Sequence, residues 1–223
     1  MAEVVLPRGD LQLRGTASGS GPTVLLLHAG GEQRGVWTPI AAVLNQRNLR
    51  TVAYDLRGHG ASAGQATTLQ AIADDVTAMI WHEPPPLVVV GASLGGLAAL
   101  AALADPYTAR DVAGLILVDV VPTPDSARVR TWLNDRGLVH EHTELVDDIL
   151  NQPTTIPTPD LPVLLVQAGP DSPLTDADVA RFRAANPTLT VTQIPTASHL
   201  IAHDTPTELA HLIATQATQW LPS

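Results

Sequence analysis

The stretch Val88-Val89-Val90-Gly91-Ala92-Ser93-Leu94-Gly95 decides how this chain is read. Three β-branched residues in a row predict a strand buried on both faces. The Ala- and Leu-rich residues 94–104 that follow predict a helix buried on most of its surface. Between them there is room only for a sharp turn. Gly91 and Ala92 before Ser93 and Gly95 two residues after it let that turn close without a side-chain clash and leave the hydroxyl exposed at its tip. A Gly-x-Ser-x-Gly match alone is common in glycine-rich chains, but strand, turn and helix in this order mark Ser93 as a candidate nucleophile.

Outward from this unit, strand-like runs at residues 24–27, 51–54, 87–90, 115–118, 163–166 and 189–194 alternate with helix-like segments at 36–47, 69–81, 94–104, 176–185 and 206–220. That alternation predicts an α/β architecture, a mainly parallel sheet with helices on both faces. Residues 4–6 and 11–14 flank the turn Arg8-Gly9-Asp10 and add an antiparallel hairpin at the sheet edge, for about eight strands in all. Thr175 before Asp178 and Thr205 before Glu208 have the spacing of N-caps. Residues 62–68 read as a loop of small residues.

The chain of 223 residues predicts a single domain, interrupted by an insertion at 122–160 that separates two strands by more than one helix. Residues 125–152 read as helical and 153–162, with four prolines, as extended. An insertion over the C-terminal edge of a parallel sheet lies where ligands bind in such folds, which makes it a candidate short lid.

Twelve basic residues, all arginine, stand against 22 acidic ones for a net charge of −10. Such a surface repels phosphate backbones and anionic headgroups, so neither a nucleic acid nor a membrane is an expected partner, and a small-molecule substrate is. The absence of cysteine excludes a thiol nucleophile, a disulfide framework and a Cys-ligated metal. Residues 1–10 lack the basic start and apolar run of a secretion signal, and no apolar stretch is long enough to span a membrane, so the expected location is the cytoplasm. The Lys-free, Ala- and Pro-rich usage suggests a G- and C-rich, bacterial genome.

A serine hydroxyl needs a base, and the base an orienting carboxylate. Of eight histidines, His199 lies in a loop after a predicted strand and before the last helix, over the same sheet edge as Ser93. The carboxylate should follow another strand and lie between serine and histidine in the chain. Asp171, in Gly169-Pro170-Asp171 after the strand at 163–166, is the preferred candidate. Asp119, which ends the strand at 115–118, is the rival; Asp176 and Asp178 would require a longer turn. His28-Ala29-Gly30-Gly31 follows the strand at 24–27 and offers backbone amides to a developing oxyanion, with Gly30 and Leu94 the expected donors.

These stretches, together with Asp55-Leu56-Arg57-Gly58-His59-Gly60 and Ser62, resemble the α/β-hydrolase fold family almost from end to end. Within it, the chain is similar to the branch of esterases, lipases, perhydrolase-type haloperoxidases and lactone hydrolases. The resemblance implies a serine hydrolase acting on ester bonds without a cofactor. It also implies that the segment from Asp55 to Ser62 is structural. Ala29 and Ser198 stand where the family commonly has glycine, and the insertion is shorter than most caps. Serine in place of aspartate at the nucleophile position disfavours the epoxide hydrolases and haloalkane dehalogenases of the same fold.

The expected reaction is cleavage of a small carboxylic ester, lactone or thioester through an acyl-enzyme on Ser93, His199 and Asp171. The alternatives are a cofactor-free lyase or dioxygenase on the same fold, and a non-catalytic ligand-binding module. Trp37, Trp132 and Leu200 are candidate pocket residues. His140-Glu141-His142 lacks a third ligand and reads as a solvated helix face, so no metal site is expected.

Overall fold

The computed structural model describes residues 1–138, 143–151 and 160–222. Eight strands, β1 (Ala2–Arg8), β2 (Leu11–Ser18), β3 (Thr23–Leu27), β4 (Arg50–Tyr54), β5 (Leu87–Ala92), β6 (Val112–Val118), β7 (Val163–Gln167) and β8 (Leu189–Gln193), form one sheet in the order β1-β2-β4-β3-β5-β6-β7-β8. The edge pair β1 and β2 is antiparallel, as is β2 with β4, and every other neighbour is parallel. Helices are α1 (Thr38–Asn45), α2 (Leu69–His82), α3 (Leu94–Ala102), α4 (Pro106–Ala109), α5 (Ser126–Asp135), α6 (Thr143–Asn151), α7 (Asp176–Ala185), α8 (Ile201–Asp204) and α9 (Pro206–Trp220).

Strand periodicity divides the core into two layers. Leu25, Leu27, Leu87 and Val89 face the layer beneath α2 and α3, while Val24, Leu26, Val88 and Val90 face the layer beneath α1 and α9. Both faces are covered, which is why the central strands are apolar throughout. From β3 the chain crosses to β4 on one side, and β5 then lies on the other. The sheet order therefore reverses at β3, opening a crevice at its C-terminal end next to that of β5.

Some boundaries differ from expectation for local reasons. The helix predicted at 36–47 begins as a 3-10 turn (Arg34–Trp37) ahead of α1, and the helical part of the insertion divides into α5 and α6. Thr175 and Asp178 form the expected reciprocal cap of α7. Thr205 does not cap α9, because its hydroxyl donates back to the Ile201 carbonyl. Among the described residues no helix is long and apolar enough to cross a membrane.

Candidate active site

Ser93 sits between β5 and α3 with φ 45° and ψ −112°, outside the regions a side chain favours. The flanking glycines make this turn possible. A Cβ on Gly91 would stand 2.5 Å from the Gly96 Cα, and one on Gly95 would stand 2.6 Å from the Leu27 carbonyl oxygen. Strand, helix and the neighbouring β3 thus approach more closely than any side chain permits. The Ser93 amide donates to the Val118 carbonyl at 3.2 Å, tying the turn to the end of β6.

Ser93 and His199 line the same cavity, of about 240 Å³. The His199 side chain is 9% exposed, and its Nδ1 lies 2.7 Å from Oδ2 of the fully buried Asp119. A neutral imidazole that donates from Nδ1 carries its lone pair on Nε2, the nitrogen able to take a proton. Asp119 also accepts the Ala168 amide at 2.9 Å and the Ser172 hydroxyl at 2.7 Å from Oδ2. Its own amide donates to the Val166 carbonyl at 2.8 Å, and its φ of 51° turns the chain away from the sheet. A buried carboxylate held by three donors is fixed in orientation.

Asp171, the expected partner of His199, does not meet it. Its carboxylate is 56% exposed and pairs with Arg136 just beyond α5. The physical reason is the length of the β7–α7 connection: Asp171 lies four residues past the end of β7, whereas Asp119 follows β6 directly. Asp176 and Asp178 are also elsewhere, at the start of α7, where Asp178 pairs with Arg128 and Arg181.

Gly30 and Leu94 both line the cavity, Leu94 at the first position of α3, where an amide has no partner within its helix. The Ala29 amide, by contrast, is occupied by Glu32 at 3.2 Å. Burial pushes the Glu32 carboxyl above its ordinary range, against the lowering effect of that bond. His28 fixes the base of this loop. Its Nε2 accepts the Leu56 amide at 3.0 Å, so the neutral ring carries its proton on Nδ1, 2.8 Å from the Ala29 carbonyl. Burial lowers the His28 pKa to about 4, so the ring is neutral at pH 7.

The segment from Asp55 to Ser62 forms the scaffold below. Asp55 accepts the Arg34 amide at 2.6 Å and the Ala61 amide at 2.8 Å, and it pairs with the Arg34 guanidinium. Arg57 makes two bonds to the buried Asp75, and the Ser62 hydroxyl donates to the Asp55 carbonyl at 2.6 Å. His59 lies beside His28, ring centroids 5.2 Å apart, and does not line the cavity.

Trp132 and Leu200 line the cavity as expected; Trp37 does not. It is 0% exposed and packs in the layer beneath α1 and α9, because the 3-10 turn that carries it leads directly into α1, whose Ile40 and Leu44 pack in the same layer. Most of the remaining wall is aliphatic, with Leu97, Val120, Leu145 and Ile149 among its members, and Arg136, Asp171 and Ser198 also line it. Ser172, the Ala168 amide and Arg136 were not foreseeable as site residues, since nothing in their spacing reveals a partner so distant in the chain. His140-Glu141-His142 and most of the proline-rich 153–162 lie outside the described residues. Among the described residues no three His, Asp or Glu side chains gather so as to hold a metal ion.

Residues 24–212 match the model of a family described as "Alpha/beta hydrolase family". A bovine protein named protein phosphatase methylesterase 1 is 35% identical over 128 residues, 53% of this chain and 33% of the relative. A pimeloyl-[acyl-carrier protein] methyl ester esterase of Stenotrophomonas maltophilia is 38% identical over 116 residues, 52% of this chain and 41% of the relative. The chain thus spans well under half the length of either. The structure of a thermophilic esterase from Thermogutta terrifontis superposes with a TM-score of 0.72 over 98% of this chain and 99% of its own, at 22% identity, a likeness of fold.

Proposed function

Because the chain belongs to the alpha/beta hydrolase family, we propose that it is a serine hydrolase that cleaves a small carboxylic ester through an acyl-enzyme, with Ser93 as nucleophile, His199 as base and Asp119 as the orienting carboxylate. The observation that carries this reading is the bond from His199 Nδ1 to buried Asp119, in the wall of a cavity that also exposes a strained serine.

In the proposed reaction His199 Nε2 takes the Ser93 proton as Oγ attacks the ester carbonyl. The negative charge on the tetrahedral oxygen is met by the Gly30 and Leu94 amides, and the imidazolium is stabilised by Asp119. The imidazolium then protonates the departing alcohol. Water, activated by the same nitrogen, attacks the acyl-enzyme and frees Ser93. No step requires a cofactor.

The aliphatic wall suits an apolar acyl group, and α5 and α6, part of the proposed lid at 122–160, supply much of it. Two relatives are named for methyl esters, which favours a small alcohol as leaving group. The decisive test is hydrolysis of p-nitrophenyl esters from acetate to decanoate, together with labelling by a fluorophosphonate. Turnover abolished by Ser93→Ala, with the label on Ser93, supports the reading. A folded chain that neither turns over any ester nor takes the label would exclude it.

A further inference from the structure

Arg128, Trp132 and Arg136 recur every four residues and so share one side of α5 and its C-terminal cap. That side faces the β7–α7 loop. Arg128 donates to the Pro173 carbonyl at 2.8 Å and pairs with Asp178. The Trp132 indole N–H donates to the Asp171 carbonyl at 3.2 Å, while the Asp171 carboxylate pairs with Arg136. The Arg136 guanidinium in turn lies 4.0 Å from the centre of the Trp132 ring. Trp132 also meets His199, ring centroids 4.8 Å apart at 71°. Asp171 therefore grips Trp132 twice, through its backbone and through Arg136, and Trp132 abuts the imidazole.

We propose that Asp171 and Arg136 form a clamp that holds Trp132 against His199, so that Trp132 is a positioning residue for the base and docking of α5 is coupled to alignment of the site. The inference rests on the ester-hydrolase reading for its consequence in rate, and on the contacts alone for its geometry. Asp119 fixes one ring nitrogen of His199 but leaves the ring free to swing about that bond; the indole packed against it at 4.8 Å closes off that motion. Asp171 and Arg136 are both partly exposed, so their pairing is worth little by itself and the effect should be graded.

The test uses Arg136→Gln, Asp171→Asn, both together, and the exchanged pair Arg136→Asp with Asp171→Arg, in the full chain. On p-nitrophenyl butyrate each single variant should lower kcat about two- to fivefold with KM nearly unchanged, since neither touches the reacting atoms. The double variant should be no worse than either single one, and the exchanged pair should recover most of the rate. Nuclear magnetic resonance gives a readout independent of turnover. The Trp132 indole N–H, identified by its loss in Trp132→Phe, and the His199 Nδ1–H should both exchange faster with water in the single variants. A disturbed Trp132 signal with an unchanged His199 signal would overturn the proposal. So would a loss confined to KM for a half-ester bearing a free carboxylate, which would make Arg136 a substrate receptor. A collapse of a thousandfold or more in Asp171→Asn alone would instead make Asp171 the carboxylate of the reaction. Should the wild-type chain turn over no ester, the exchange measurement still decides the clamp while the hydrolase reading falls.

Discussion

His199 directs Nδ1 to Asp119 at 2.7 Å, and Asp119 directly follows the last residue of β6. Val118 and Val166 are register partners in the parallel pair β6 and β7, so Asp119 is still pinned to the ladder through its amide. A carboxylate one residue past a paired strand has little freedom to move. Asp171, beyond a Gly-Pro turn, has been carried to the surface.

Asp119→Asn should therefore lower kcat by about a thousandfold or more, because an amide in that position favours the wrong imidazole tautomer and cannot stabilise the imidazolium. Asp171→Asn should cost no more than about fivefold, the size expected for a partly exposed ion pair. Steady-state kinetics on one p-nitrophenyl ester, with circular dichroism to verify folding, compares them directly. Equal effects would contradict the assignment. Ser172→Ala removes one of the donors to Asp119 and should fall between the two.

His28 predicts an acid limb of stability. Its pKa is lowered from 6.5 to about 4 by burial, so between those values the unfolded chain binds a proton that the folded chain does not. Stability is unaffected by this group above pH 6.5 and is lost progressively as pH falls toward 4, by about 3 kcal/mol in total. Urea unfolding at pH 7 and pH 4.5 should show the wild type losing roughly that much more than His28→Asn. Parallel losses in the two proteins would place the acid sensitivity in other groups.

The fold was legible because its signals are local. The period of β3 and β5, the glycines around Ser93 and the Thr175 cap each state their geometry within a few residues. That Ser93 and His199 would line one cavity was readable for the same reason, each being placed by the end of an adjacent strand. Which of Asp119 and Asp171 meets His199 was not, because both follow strands and only their distance past the strand end, settled by packing, separates them. Trp37 misled for a related reason. It follows the His28 to Gly31 loop closely in sequence, but the 3-10 turn that carries it leads into α1 and packs it in the layer beneath α1 and α9.

Close backbone approach at the serine turn makes a second stability prediction. Gly95→Ala would place a methyl 2.6 Å from the Leu27 carbonyl, with backbone on both sides and no side chain able to yield. A loss of about 3 kcal/mol or more is expected, with little soluble protein as the practical sign. Gly137→Ala is the control: among the described residues, its chain neighbours aside, no atom lies within 4 Å of its added methyl, and the φ of 70° opposes it. That should cost about 1–2 kcal/mol. Thermal unfolding of the two variants separates crowding from backbone strain.

Chain-length preference should follow the wall built by α6. Leu145 is 3% exposed, packs in the layer beneath α2 and α3, and lines the cavity with Leu97 and Ile149. Leu145→Ala enlarges the acyl space and Leu145→Phe fills it, so the optimum in a p-nitrophenyl ester series should move to longer chains in the first and shorter chains in the second. Each methylene gained or excluded in an apolar pocket changes kcat/KM by roughly 10-fold or more. The shift should therefore be visible within two carbons of the wild-type optimum. Leu145→Ala will also be less stable by about 2–4 kcal/mol, since it opens a void against the core, so the series is best run well below its Tm. An optimum that stays in place in both variants, while Leu97→Ala moves it, would assign the acyl chain to the α3 side of the cavity and leave α6 as a cover for it.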